Sequence, residues 1–323
     1  MSIVSFYVGQ GFFLVEMIFF FPLFFIPFYY RSLGFFEKDK LNSILKHFHS
    51  LFLISFFVLF VVNCIQVVLF ISLGRLPALA WKGSLSVRFG SIFDDPNGFA
   101  IILSLFSFLY FGLKRFITKF IFVLMFLFCL LSTQSLTGVA SVFISFMVVL
   151  FYRGFVLRER SSFNSFVLLS FLMLTSTVVV GVWFYSYVEN FLLIKSGSIA
   201  EHAKSTLFMD GMTFYDYFIG EPLGPVAEST YLNMLANFGL FFLFLYVLMI
   251  LYVIRQGLKS LAQAGSMIEK NIYSSLVCFV LCVSLSGVNL PMMSVFPVNY
   301  LFYFACGFVL CFSYAERECN CVR

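Results

Sequence analysis

Charged side chains are scarce in this sequence. Asp, Glu, Lys and Arg make up 11% of the 323 residues, where a soluble domain carries about 25%. The chain is 62% hydrophobic with a mean hydropathy of +1.02. No water-soluble core absorbs that excess, which excludes an ordinary soluble domain. Histidine is equally thin: His47, His49 and His202 are too few and too scattered for a zinc site, so neither metal nor cofactor is expected. The first apolar run lacks a basic n-region and exceeds the length of an h-region, so it reads as a spanning helix and not as a cleaved leader. Inverted sequence repeats, the mark of many secondary transporters, are missing as well. The net charge of +5 does not imply nucleic acid as a partner, because the basic residues fall in short clusters between apolar runs.

What the sequence does have is repeated apolar runs near the ~20 residues that cross ~30 Å of hydrocarbon as a helix. The expected fold class is all-α, a polytopic helical membrane protein with about nine spans at 3–29, 51–74, 97–113, 118–133, 137–152, 163–185, 229–253, 272–289 and 296–314, forming a single transmembrane domain. The bilayer is the first partner this implies. The 20 Lys and Arg residues then divide fifteen to five. Arg31, Lys38, Lys40, Lys46, Lys114, Arg115, Lys119, Arg153, Arg158, Arg160, Arg255, Lys259, Lys270, Arg317 and Arg323 fall on one side. Arg75, Lys82, Arg88, Lys195 and Lys204 fall on the other. Because short cytoplasmic loops hold the basic excess, the C-terminus is expected in the cytoplasm and the N-terminus outside.

Two substantial external segments result, 75–96 and 186–228. In the longer one Leu207, Phe208, Met212, Tyr215, Phe218 and Ile219 recur at roughly helical spacing, which predicts a helix lying in the membrane interface. The eight cysteines sit within apolar runs or in the C-terminal tail, outside these external segments, so disulfides are not expected. Cys319 and Cys321 read as part of a mobile tail more than as a metal pair.

Polar groups crowd the entrance to the third span, where Arg88 precedes Asp94, Asp95, Pro96 and Asn97. An arginine beside the bilayer forks two donors onto phosphate oxygens, or is simply a solvated cation paired with Asp94. Asp95 before Pro96 reads first as a helix cap. Asn97 is either a first-turn residue or a sugar-hydroxyl contact. At the start of span seven, Glu228 precedes Ser229, Thr230 and Tyr231. Ser229 is a capping candidate, and Glu228 is either a carboxylate favoured by the positive helix end or the base that takes a proton from a sugar hydroxyl. His202 and Lys204 offer acid, base or phosphate contacts from the long external segment, with ordinary exposure as the alternative for His202. Glu16, deep in the first run, fits either a buried functional group or bundle-interior pairing.

Over residues 85–240 these pieces resemble the O-antigen polymerase (Wzy-type) and O-antigen ligase superfamily of membrane glycosyltransferases. The resemblance is carried by Arg88-Phe89-Gly90 with Asp95-Pro96-Asn97-Gly98-Phe99-Ala100, by Leu131 through Gly138 between two spans, and by Ile219 through Gly224 in the long external segment. Glu228 through Asn233 and Asn237-Phe238-Gly239 follow. It implies metal-independent, inverting glycosyl transfer from an undecaprenyl-diphosphate-linked oligosaccharide on the external face of the bacterial inner membrane. By this resemblance Arg88 grips the diphosphate; with Glu228 it forms the candidate catalytic pair, and Asp95, Asn97, Ser135, Thr137, His202, Lys204 and Tyr231 are the candidate substrate-binding residues. A chain-length regulator is the candidate protein partner. Two departures stand out: the long segment offers Lys195 and Lys204 where the family has an arginine, and fewer spans precede the first motif. Glu228-Ser229, where ligases carry a histidine, favours polymerase over ligase. A lipid-linked saccharide flippase and a scaffold subunit are the readings from other classes.

Overall fold

The computed structural model describes residues 24–29, 32, 38–74, 80–82, 87–93, 95–183, 215, 218, 229–290, 292, 295 and 297–321. Its helices follow the apolar runs, and several begin behind a capping side chain: Asp95, Ser135, Ser229 and Ser266. α1 spans Lys38–Leu73 and is followed by a short hairpin of β1, Ala80–Lys82, and β2, Val87–Phe89. The strands pair antiparallel with Trp81 opposite Arg88. This small two-stranded ribbon is not anticipated by the all-helical expectation; it lies outside the apolar runs, where backbone groups are free to pair.

α2, Pro96–Leu103, is short and almost wholly buried. Two 3₁₀ turns, Ser104–Phe106 and Leu109–Gly112, continue it. The break has a local cause: Ser104 Oγ donates to Ile101 O at 2.6 Å and Ser107 Oγ to Ser104 O at 2.7 Å, so hydroxyls three residues on compete for carbonyls of the helical ladder. The span expected at 97–113 is thus a broken element. α3, Phe116–Ser132, and α4, Leu136–Phe151, follow, with a π-helical turn at Tyr152–Val156. α5 runs over Arg160–Trp183, α6 over Thr230–Gln263, α7 over Met267–Ser286 and α8 over Val298–Cys321.

Among the described residues four helices are long and apolar enough to cross a membrane: Ser43–Leu73, Leu136–Val156, Thr230–Gln263 and Met267–Ser286. Pro96–Gly112, Phe116–Ser132 and Val298–Cys311 are shorter apolar helices. Of the first expected span, 24–29 is described and helical, and Glu16 lies outside the described residues. The segment 186–228, expected outside and with an interfacial helix, also lies beyond the described residues, apart from Tyr215 and Phe218, both helical and exposed. α8 continues as helix through Cys321, where the sequence predicts a mobile tail.

α7 is the central post. Tyr273, Cys278, Phe279, Val280 and Cys282 on it are fully buried, and α4, α6, α8 and the broken α2 element pack around it. The outward face is apolar: Phe116, Phe120, Leu131, Phe241, Phe244 and Leu251 are all more than half exposed, as lipid-facing surfaces require. Inside α6 the backbone breaks at Gly239, φ +77° and ψ 175°, a conformation open to glycine alone. Between α2 and α4, Gly138 admits close approach, since a Cβ there would lie 2.6 Å from the Ala100 methyl.

Candidate functional site

The site is assembled by three helix ends and the hairpin. α3 ends at Thr133, the chain turns through Gln134 with φ +48°, and α4 starts behind Ser135. Turning away at Gln134 leaves the Thr133 carbonyl without a helical partner, and the negative end of α3 gathers there. Arg88, central in β2, donates its Nε–H to that carbonyl at 2.9 Å. Its Nη2 donates to Asn97 Oδ1 at 2.7 Å. Ser135 Oγ donates to the same Oδ1 at 2.6 Å while accepting from the Gly138 backbone N–H at 3.0 Å. Asn97 is held in turn by Asp95, whose carboxylate accepts from the backbone N–H of Asn97 at 2.9 Å and of Gly98 at 3.3 Å. Asp95 therefore caps α2 with Pro96 at the first helical position, as its sequence context predicts.

Four sequence-predicted residues, Arg88, Asp95, Asn97 and Ser135, thus form one hydrogen-bonded group. Burial sets its electrostatics. Desolvation pulls the Arg88 pKa below its ordinary value, with the Asp95 charge working in the opposite direction. Burial also raises the Asp95 carboxyl above its usual range, opposed by its bonds to Asn97 and Gly98 and by Arg88. Among the described residues no acceptor takes a hydrogen bond from Arg88 Nη1. A half-buried cation with two of its nitrogens fixed by described residues is held in one orientation, the state in which a guanidinium receives an anionic oxygen.

Asp94, the alternative partner of Arg88, lies outside the described residues, as do Glu228, His202 and Lys204. Thr137 is in the first turn of α4, half-buried, and its hydroxyl makes no hydrogen bond with a described residue. Tyr231 stands apart from the Arg88 group: its hydroxyl donates to Ser284 O on α7 at 2.8 Å, and its ring packs edge-on to Tyr246.

The start of α6 nevertheless belongs to the same end of the bundle. Ser229 Oγ accepts from Leu232 N–H at 3.4 Å, the expected cap, and donates to Gly287 O at 3.1 Å. The Thr230 hydroxyl donates to Leu290 O at 3.0 Å and accepts from Met292 N–H at 2.9 Å. The same connection from α7 to α8 reaches α2, where a Cβ on Gly98 would lie 2.7 Å from Val295 Cγ1. One connector therefore bridges the start of α6 and the start of α2.

A supporting layer escaped the sequence reading. Gln66 Nε2 donates to Ser91 O at 2.7 Å, Ser91 Oγ to Leu59 O at 2.9 Å, and Asn63 Nδ2 to Ser132 Oγ at 2.8 Å. Ser91, with φ +56°, is fully buried, and so is Asn63. These bonds tie the hairpin and the end of α3 to α1. The available signal was a pair of amides three residues apart, on one helix face inside an otherwise apolar run.

The fold and this polar group define a helical membrane protein with an arginine-centred donor cluster at one end of its bundle. No family model, curated protein or solved structure matches the chain.

Proposed function

We propose that this chain is an O-antigen polymerase, a multi-pass enzyme of the bacterial inner membrane that joins undecaprenyl-diphosphate-linked oligosaccharide repeats on the external face. The observation that carries the reading is the held guanidinium: Arg88 is clamped by Thr133 O and Asn97 Oδ1, and among the described residues no acceptor takes its Nη1. In this reading Arg88 neutralises the diphosphate on which negative charge develops as the glycosidic bond breaks. Glu228, at the head of α6, takes the proton of the attacking sugar hydroxyl, so that the growing chain passes to the new repeat and the undecaprenyl diphosphate departs. Lys204 and His202 add phosphate and sugar contacts from the segment 186–228, and Thr137 and Tyr231 line the sugar path. The nine-span topology, with the N-terminus outside and the C-terminus cytoplasmic, is part of the same proposal, and it places Arg88 and Glu228 together outside.

Deleting the gene and running the surface glycan on a gel tests this directly. Lipid A-core carrying a single repeat is the expected product. Core alone with long polymer still on the carrier makes the protein a ligase, core alone with repeats trapped on the cytoplasmic side makes it a flippase, and an unchanged ladder rejects the assignment. Complementation with Arg88→Ala is expected to leave protein level intact and abolish polymer; normal chain length would remove Arg88 from the reaction.

A further inference from the structure

At the end of α6 remote from Thr230, a cavity of about 290 Å³ opens among α6, α8 and the π turn after α4. It is lined by Tyr152, Gln256, Lys259, Ser260, Gln263 and Ser313. Its floor is polar and buried. Ser260 is fully buried and its Oγ makes no hydrogen bond with a described residue. Gln256 and Ser313 are buried beside it and linked at 3.5 Å. The Tyr152 hydroxyl donates to Leu258 O at 3.2 Å, which pins the π turn against α6. Lys259 and Gln263 are exposed at the rim, and among the described residues no carboxylate lines the cavity. Lysine, hydroxyl and amide groups supply several donors and one positive charge, the inventory of a phosphate site. A buried hydroxyl without a partner is costly unless something else satisfies it.

The position of the cavity selects the source of that phosphate. From Leu240, just past the break at Gly239, to Lys259 the helix rises about 28 Å, close to the ~30 Å of a bilayer's hydrocarbon core. Between those ends α6 exposes Leu240, Phe241, Phe244, Leu248 and Leu251, a lipid-facing stripe. The stripe gives way to Arg255 and Lys259, both exposed, at the level of the cavity. With the Gly239 break at one headgroup layer, the cavity opens into the other.

We infer that this cavity binds the headgroup of an anionic phospholipid, with Lys259 at the rim and Ser260 below it receiving the phosphate oxygens. The inference depends on α6 crossing the bilayer and not on glycosyl transfer, so it stands or falls apart from the proposed reaction.

Native mass spectrometry of the full chain in a neutral detergent, titrated with phosphatidylglycerol, phosphatidylcholine or inorganic phosphate, tests it. Phosphatidylglycerol is expected to give a single retained adduct at a concentration at least tenfold below that needed for phosphatidylcholine, with millimolar inorganic phosphate failing to displace it. Lys259→Gln and Gln263→Glu, both at exposed positions that leave the packing untouched, are each expected to weaken that adduct at least tenfold, while Lys259→Arg retains it. Equal retention of the two lipids, displacement by inorganic phosphate, or unchanged binding in Lys259→Gln and Gln263→Glu would overturn the assignment.

Discussion

Arg88 and Asn97 act as a unit, and substitutions separate holding from charge. Asn97→Ala removes one charge-assisted partner of the guanidinium and leaves Thr133 O in place. Such a bond contributes about 1.5–3 kcal/mol, so turnover of reconstituted enzyme on lipid-linked repeats is expected to fall roughly ten- to a hundredfold. Asn97→Asp keeps an acceptor but sets a second carboxylate beside Arg88 and Asp95 that competes with the diphosphate for the guanidinium, so its turnover is expected to fall at least as far as that of Asn97→Ala; near-wild-type turnover in both variants would remove Asn97 from the site. Glu228→Gln keeps size and polarity while removing the proton acceptor, and polymer is expected to shorten to one repeat. Near-normal chain length in that variant would reduce Glu228 to a charge at a helix end. Asp95 was legible from sequence because capping is local: its carboxylate bonds N–H groups two and three residues ahead. Ser135, singled out only through the family resemblance, caps α4 in the same local way. The Thr133 carbonyl was not, because a backbone acceptor carries no side-chain signature and is freed only by the turn at Gln134.

At the level of elements, α4 and α7 are stapled at the end opposite Arg88 by a buried ion pair. Arg153, fully buried in the π turn, forks onto Glu159 with Nε–Oε2 at 2.6 Å and Nη2–Oε1 at 2.8 Å. Its Nη1 reaches Asn271 Oδ1 and Ser274 Oγ on α7, each at 3.2 Å, and its guanidinium carbon lies 4.8 Å from the Phe111 ring centroid. Burial alone would raise the Glu159 pKa, but the Arg153 hydrogen bonds and charge, with Ser162 and Lys270, bring it below the ordinary value. The sign follows: a lowered carboxyl contributes stability above its ordinary range near pH 4, and that contribution is lost as pH falls through the lowered value. Glu159→Gln leaves a buried cation without its counter-charge and is expected to cost about 3 kcal/mol. Thermal unfolding in detergent measures both effects: the wild-type midpoint should fall below about pH 4, and the variant should unfold earlier at neutral pH and lose that part of its acid sensitivity.

For the whole molecule, the orientation is the prediction with the widest reach. Single cysteines introduced at Thr137 and at Arg158 into a chain freed of its reactive thiols are expected to label oppositely with a membrane-impermeant maleimide: Thr137 from outside, Arg158 only after permeabilisation. The reverse pattern would put the Arg88 cluster in the cytoplasm and remove the proposed reaction from the outer face. Membrane residence and the positions of most helices were readable in the chain itself, because hydropathy and helix capping are properties of contiguous residues. The break of α2 at Ser104 and Ser107, and of α6 at Gly239, depends on how hydroxyls and backbone are seated and was not read from the runs. That Arg88, Asn97 and Ser135 meet, and that Asn63 and Gln66 brace them from α1, was decided only by the tertiary structure. Those bonds join residues 9 to 69 positions apart, and separations of that size are closed by packing of whole helices, which no local pattern of residues encodes.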